Sequence, residues 1–140
     1  MQRVIIDSDL LSELVKLKNP NVEAKANAYQ LEHKDITFIS LTALEILSGL
    51  KHINAPAKLK RAEMLLAENE EILPTVEDYR YGSDIVSALW KAGTPIGLVD
   101  PMIAACAIRR GLGVASGNTA HFEFIRKLGF NFNLENWRDA

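Results

Sequence analysis

Short apolar runs alternate along this chain with longer segments in which apolar residues recur at helical spacing. The short runs predict strands at residues 3–6, 36–39 and 113–115, a weaker strand at 71–73 and an edge strand near 130–134. The longer segments predict helices at residues 10–17, 22–33, 41–50, 57–69, 76–92, 101–110 and 121–128. Alternating strands and helices favour an α/β fold, namely a three-layer α/β/α sandwich with a mostly parallel central sheet, and we expect residues 1–140 to form one domain.

Acidic residues lie where the pattern places strand ends and first helical turns. Asp7 and Asp9 follow the first strand, Glu45 lies in the early turns of the helix after the second, and Asp100 follows the run at 96–99. The carboxyl ends of parallel strands meet at one edge of a sheet, where ligands bind. Carboxylates gathered there repel one another unless a divalent cation holds them, so the pattern predicts a magnesium or manganese site.

Each acid also has a purely structural interpretation as a helix cap. Asp7 could be the N-cap of the helix after the first strand, and Asp100 before Pro101 matches an N-cap with proline at the first helical position. Thr42 and Glu45 have the spacing of a capping box. The two interpretations are compatible, because a capping aspartate can also present an oxygen to a metal.

The residue inventory favours metal-assisted phosphodiester hydrolysis. The sequence contains no convincing catalytic triad, no paired cysteine ligands, no GxxxxGK[ST] loop and no GxGxxG turn. Two divalent cations can activate water and stabilise a leaving oxygen without a histidine or serine nucleophile.

Four segments resemble, in order and spacing, the successive motifs of PIN-domain ribonucleases. They are VIIDSD (4–9), LTALEILSG (41–49), IGLVDPMIAA (96–105) and SGNTAHF (116–122). The likeness covers nearly the whole chain and is greatest to the VapC toxins of type II toxin–antitoxin pairs. The third motif is the most specific of the four.

The resemblance implies that Asp7, Glu45 and Asp100 are the catalytic, metal-holding acids. It also implies an α/β/α sandwich, Mg²⁺ or Mn²⁺ as cofactor, RNA as substrate, a cognate antitoxin protein as partner and a homodimer.

Five further residues of these motifs are expected beside the acids, with Asn118 either a neutral metal ligand or a donor that orients a carboxylate or a metal-bound water. Ser8 stands where a threonine or serine is common in the family, and Asp9 where an asparagine is common. Asn118 matches the last motif, whereas His121 stands where many relatives have a fourth acid. Ser116 begins the same segment. Because His121 replaces the acid and Glu123 lies just beyond it, whether any fourth acid serves the site is open.

Two other functions fit parts of the sequence. A strand that ends in Asp7-Ser8-Asp9 resembles haloacid dehalogenase-type phosphatases, in which the first aspartate is a nucleophile and the second a general acid, and Ser40 fits their next motif. The late Gly-Asp pair of that family is missing, and Glu45 would have no role in it. The third possibility is a PIN-like binding module without catalysis.

Composition and charge indicate the class of protein and its expected cellular compartment. The 48% hydrophobic and 24% charged fractions are those of a globular protein, and the net charge of −2 argues against a generally basic nucleic-acid-binding surface. No apolar stretch approaches the roughly 20 residues that span a bilayer, and the start runs into a strand rather than a signal peptide. The single Cys106 is expected to be a buried thiol in the cytoplasm. We therefore expect a cytoplasmic protein with no membrane contact.

Four other residues are expected to have structural roles. Trp90 and Trp137 are predicted to pack in the core, because no basic-aromatic run surrounds them. Arg109 and Arg110 close a helix, where positive charges interact favourably with its dipole.

Overall fold

Parallel strands lie between two layers of helices in the computed structural model, which describes residues 1–139. The elements in chain order are β1 (Val4–Ile6), α1 (Ser8–Lys16), α2 (Pro20–His33), β2 (Thr37–Ile39), α3 (Ser40–His52), α4 (Pro56–Glu68), β3 (Glu70–Ile72), α5 (Val76–Lys91), α6 (Val99–Arg110), β4 (Gly113–Ser116), α7 (Ala120–Lys127) and β5 (Leu134–Asn136). The predicted α/β/α sandwich is therefore confirmed.

The sheet has two hydrogen-bonded parts. Strands β1, β4 and β5 form one parallel ladder, in which Ile5 pairs with Val114, and β2 and β3 form a second parallel pair. Strands β1 and β2 lie in contact between the two parts. The carboxyl end of β1 therefore lies between the carboxyl ends of β4 and β2. Asp7 follows β1 directly, and Glu45 lies in the helix that follows β2.

Alternation of side chains along the strands divides the core into two apolar clusters. Val4 and Ile6 face the cluster formed with α1 and α2, whereas Ile5 faces the cluster formed with α5, α6 and α7. Apolar burial on both faces of such short strands fixes their register, because a slip of one residue would exchange the two faces. Cys106 is fully buried in the second cluster, as predicted.

The predicted elements match the observed ones closely in the inner strands and less well elsewhere. The edge strand predicted near 130–134 is wrong by several residues, since Phe130 and Phe132 pack against the core from irregular backbone and β5 begins at Leu134. Trp137 is fully buried, as predicted, but Trp90 is 65% exposed, so its predicted packing role is wrong. No helix among residues 1–139 is both long and apolar enough to cross a membrane.

A buried ion-pair cluster ties α5 to the end of α6. Asp78 is fully buried and closes the capping box of α5 with Thr75. Arg109 donates to its carboxylate at 2.7 Å, and Arg110 donates to both carboxylate oxygens at 2.8 and 2.9 Å. The two arginines were expected only to complement the helix dipole, so the sequence did not reveal this cluster.

The arginines control the ionisation of Asp78. Burial alone would raise the pKa of Asp78, but hydrogen bonds from Arg110, the Thr75 amide and Arg109 outweigh it and hold the pKa well below its ordinary value of 3.8. A carboxyl group whose pKa is lowered by folding stabilises the protein above its unfolded pKa and loses that contribution as the pH falls.

We expect Asp78→Asn to lower the free energy of unfolding by about 3 kcal/mol at pH 7, because it leaves two arginines facing a neutral group. Urea unfolding measures this loss, and Asp84→Asn, at an exposed position of the same helix, is the matched control. Below about pH 5 the difference between wild type and Asp78→Asn should shrink, since Asp78 becomes protonated in the unfolded chain. Equal stabilities of the two proteins at pH 7 would contradict the role given to this cluster.

Candidate active site

Four acidic side chains share one cavity at the carboxyl edge of the sheet. The cavity has a volume of about 310 Å³. It is lined by Asp7, Ser8, Asp9, Glu45, Ile96, Gly97, Leu98, Val99, Asp100, Asn118 and His121. The structure thus brings together the three predicted catalytic acids and four of the five residues expected around them.

Asp7 directly follows β1 and is the N-cap of α1, as the capping interpretation predicted. Its Oδ1 accepts a hydrogen bond from the Leu10 amide at 3.0 Å, and its Oδ2 accepts one from the Ser116 hydroxyl at 2.6 Å. Burial nevertheless raises the pKa of Asp7 to about 7, against the opposing effect of these two hydrogen bonds, and the charges of Asp100 and Asp9 add to the rise. Asp7 is therefore a cap whose negative charge is poorly stabilised.

Asp100 lies in the first turn of α6 and not after a strand. Residues 96–98 are irregular, with Gly97 at φ +83°, and the N-cap of the helix is Leu98. The position of Asp100 in a first helical turn is therefore as the pattern indicated, whereas its alternative role as an N-cap is wrong. Burial raises the pKa of Asp100, and the charges of Glu45 and Asp9 add to it, while a hydrogen bond with His121 acts in the opposite direction. His121 Nδ1 lies 2.9 Å from Asp100 Oδ2.

Glu45 reaches the cavity from the second turn of α3, with an exposed side chain. The capping box predicted for Thr42 and Glu45 is wrong, because α3 begins at Ser40 with Ile39 as its N-cap and no side chain caps it. Thr42 is instead fully buried. The capping alternative therefore gives no reason for an acid at position 45, whereas the cavity does.

The end of β4 and the loop after it hold the residues of the fourth motif. Ser116 is fully buried, and its hydroxyl also accepts a hydrogen bond from the Asn118 amide at 2.9 Å. Asn118 lines the cavity and does not cap α7, whose N-cap is Thr119. Glu123 is exposed and outside the cavity lining, so it adds no acid to this site.

Two polar atoms in the cavity wall are buried without a hydrogen-bond partner among residues 1–139, namely Ser8 Oγ and Asp9 Oδ2. Buried polar atoms are normally satisfied, and an unsatisfied one points to a ligand or an ordered water. One further residue near these atoms was missed by sequence reasoning. Arg138, far away in sequence and outside every motif, lies 3.3 Å from Asp9 and 2.9 Å from Glu13.

The donor set fits a hard divalent cation. Apart from His121, the polar side chains of the lining offer carboxylate, hydroxyl and amide oxygens. Burial raises the pKa values of Asp7 and Asp100, so a bound cation would stabilise their ionised forms. Among residues 1–139, no three acidic, histidine or cysteine side chains converge closely enough to enclose a metal ion by themselves. A cation that keeps several waters, as magnesium does, needs only one or two direct carboxylates.

The same geometry gives no support to the phosphatase alternative. That hypothesis leaves Glu45 without a role, although Glu45 lines the same cavity as Asp7. Asp9, the general acid of that hypothesis, is paired with Arg138.

Comparisons with known proteins give a consistent result. The chain is 26% identical over 138 residues to the tRNA(fMet)-specific endonuclease VapC of Salmonella typhimurium, an alignment that covers 98% of this chain and 99% of that protein. The fold is similar to that of DNA-bound VapBC from Salmonella typhimurium, with a TM-score of 0.80, 25% identity and coverage of 98% and 99%. It is also similar to VapBC2 from Rickettsia felis bound to a promoter DNA fragment, with a TM-score of 0.79, 20% identity and coverage of 96% and 98%.

The sequence profile of the PIN domain matches residues 4–127, which contain all four motifs and every residue that lines the acidic cavity. The family predicted from those motifs is thereby confirmed: this chain is a VapC-like member of the PIN-domain family.

Proposed function

We propose that this protein is a metal-dependent endoribonuclease, the toxin of a VapBC-type toxin–antitoxin pair. The observation that carries the proposal is the shared cavity of Asp7, Glu45 and Asp100, in which the buried Asp7 and the partly buried Asp100 have raised pKa values and no arginine or lysine contact among residues 1–139. The Salmonella relative is named as an endonuclease, and the similar solved structures are toxin–antitoxin complexes.

Asp7 and Asp100 are the direct holders of Mg²⁺ or Mn²⁺ in this proposal, and Glu45 completes the negative face. When bound, the cation supplies a Lewis acid that polarises the scissile phosphodiester and lowers the cost of activating water. Ser116 and the Leu10 amide fix the orientation of Asp7, and His121 fixes that of Asp100. Such outer contacts set the direction of the metal-holding oxygens.

Asn118 and Ser8 have the chemistry to position the RNA backbone. Both line the cavity, and each offers a hydrogen-bond donor that a phosphate or ribose oxygen can accept. Neither carries a negative charge that would repel the substrate. RNA is therefore the proposed substrate class, bound across the acidic edge through the cation and these neutral donors.

The biological setting of the proposal is the cytoplasm, where the protein forms a homodimer and is inhibited by a cognate antitoxin. The antitoxin is supported by the complexes in which the similar structures were solved. The non-catalytic PIN-like module is the alternative that the following experiments separate from the enzyme.

We expect Asp100→Asn to abolish RNA cleavage in the presence of magnesium while leaving the fold intact. Asparagine keeps the size of the side chain but removes the charge that holds a cation. The loss in cleavage rate should exceed the about 10- to 100-fold typical of residues outside the metal's direct contacts. Gel-based cleavage assays measure it, with circular dichroism as the folding check and Asp84→Asn as the control. Wild-type cleavage by Asp100→Asn would contradict the proposed site.

Manganese or magnesium at millimolar concentration should raise the melting temperature by several degrees, because the native state binds the cation and the unfolded chain does not. The rise should be smaller in Glu45→Gln, in which one negative charge of the cavity is missing. Differential scanning calorimetry across a metal titration checks both effects, and Glu71→Gln, at an exposed position of β3, is the control. A melting temperature independent of metal would favour the non-catalytic module.

Ser116→Ala should lower cleavage at a fixed metal concentration by about 10- to 100-fold without abolishing it. The reason is the 2.6 Å hydrogen bond that orients Asp7 Oδ2 and that alanine cannot make. Cleavage rates measured against manganese concentration should show a higher concentration for half-maximal activity. Ser83→Ala, at an exposed position of α5, should behave as wild type. An unaltered metal dependence in Ser116→Ala would rule out this orienting role.

A further inference from the structure

Arg138 is held firmly beside the first turns of α1 although it lies near the end of the chain. Its amide donates to Asn136 Oδ1 at 2.9 Å, and its carbonyl accepts a hydrogen bond from Asn21 Nδ2 at 2.9 Å. Its guanidinium Nη2 lies 2.9 Å from Glu13 Oε1 and 3.3 Å from Asp9 Oδ2. The amide and the carbonyl of Arg138 are thus both hydrogen-bonded, which fixes the backbone from which its side chain reaches Glu13 and Asp9.

The residue before it strengthens this anchor. Trp137 is fully buried, and its amide donates to the carbonyl of Ser116 at 3.0 Å. The segment that carries Arg138 is therefore hydrogen-bonded to the end of β4, where Ser116 orients Asp7. A displacement of this segment would move Ser116 and, through it, Asp7.

Gly117, directly after β4, covers one side of the pair formed by Asp9 and Arg138. A Cβ added at Gly117 would lie closer to Asp9 Oδ2 and to Arg138 Nε than side-chain atoms tolerate. Both of these polar atoms are buried without a hydrogen-bond partner among residues 1–139. Asp9 is thus covered by backbone on one side and faces Arg138 on the other, while both side chains keep more than a third of their surface exposed.

The charge of Asp9 acts on the cavity that the carboxylate lines. The side chain of Asp9 stands in the same cavity wall as those of Asp7, Glu45 and Asp100, so its charge adds to the negative field at any cation bound there. In the described part of the chain, Arg138 is the cation in contact with Asp9. Without it, a fourth unpaired carboxylate would stand beside the other three.

We propose that Arg138 is a positioning residue of the active site, which pairs with Asp9 and holds its carboxylate beside Gly117, so that the cation meets less negative charge than four unpaired carboxylates would offer. This inference rests on the proposed metal site and goes beyond it, because it assigns the control of that site's charge to a residue outside the four motifs. Pairing one acid internally also reduces repulsion of a polyanionic substrate.

Isothermal titration calorimetry with Mn²⁺ on the full-length protein tests the proposal in a double-mutant cycle. Arg138→Gln should bind Mn²⁺ about 10-fold more tightly than wild type, since it exposes the cation to one more negative charge at short range. Arg138→Gln combined with Asp9→Asn should return to the wild-type affinity. Asp9→Asn alone should change the affinity less than threefold, because Arg138 already offsets part of its charge. A purely structural role of Arg138 would move the melting temperature and leave this coupling at zero.

Two further variants make the outcome decisive. Arg138→Lys keeps the charge and should keep the wild-type affinity, whereas Arg126→Gln, which removes a surface arginine of α7, controls for net charge. If Arg138→Gln does not fold, Asp9→Asn still decides: a tenfold weaker affinity in that variant would overturn the role of Arg138 in offsetting the charge of Asp9. Equal affinities of wild type and folded Arg138→Gln would also overturn it.

The two proposals can fail separately. Mn²⁺ binding that is present in wild type and lost in Asp100→Asn supports the metal site whatever Arg138 does. If that pattern holds and the cycle shows no coupling, only the role of Arg138 is wrong. If wild type binds no Mn²⁺, the proposed function fails together with this inference.

Discussion

The burial of Asp7 at the end of β1 is the constraint on which the site depends. Asp7 is buried, caps α1 and accepts a hydrogen bond from Ser116 at the end of β4. These contacts fix its position but stabilise its charge only in part, so burial still raises its pKa to about 7. The fold therefore places an aspartate where its ionised form needs a further positive charge, and Asp100 is in a similar position across the cavity.

Asp78 is a second buried aspartate, with a structural role, and its pKa shift contrasts with that of Asp7. Its carboxylate is as inaccessible as that of Asp7, yet two arginines and a backbone amide lower its pKa. Residue type and burial are the same, and the direction of the pKa shift is opposite. The difference lies in the cations supplied by the chain: Asp78 receives Arg109 and Arg110, whereas among residues 1–139 no arginine or lysine contacts Asp7.

The inner strands and the gathering of Asp7, Glu45 and Asp100 at one edge of the sheet could be predicted from the sequence, because β1, β2 and β4 are short, buried and mostly apolar. The cap at Asp7 followed from the same pattern. The starts of α3 and α6 could not, since neither helix has a side-chain cap to mark its first turn. Apolar residues at 96–99 also fit a strand, and only the packing of α6 against α5 and α7 shows that Val99 is already helical.

Contacts between distant segments were beyond the reach of the sequence for a different reason. Ser116 and Asp7 are separated by 109 residues, and Arg138 and Asp9 by 129, so no local pattern connects them. Parallel pairing of β1, β4 and β5 brings all four to one edge of the sheet. At that edge Asp9 is intermediate between Asp78 and Asp7: it has one arginine, shared with Glu13, and one oxygen left without a hydrogen bond. The neighbouring acids thus differ in the positive charge that they receive, and among residues 1–139 Asp7 and Asp100 contact no arginine or lysine. A cation can be held there, between the end of β1 and the start of α6.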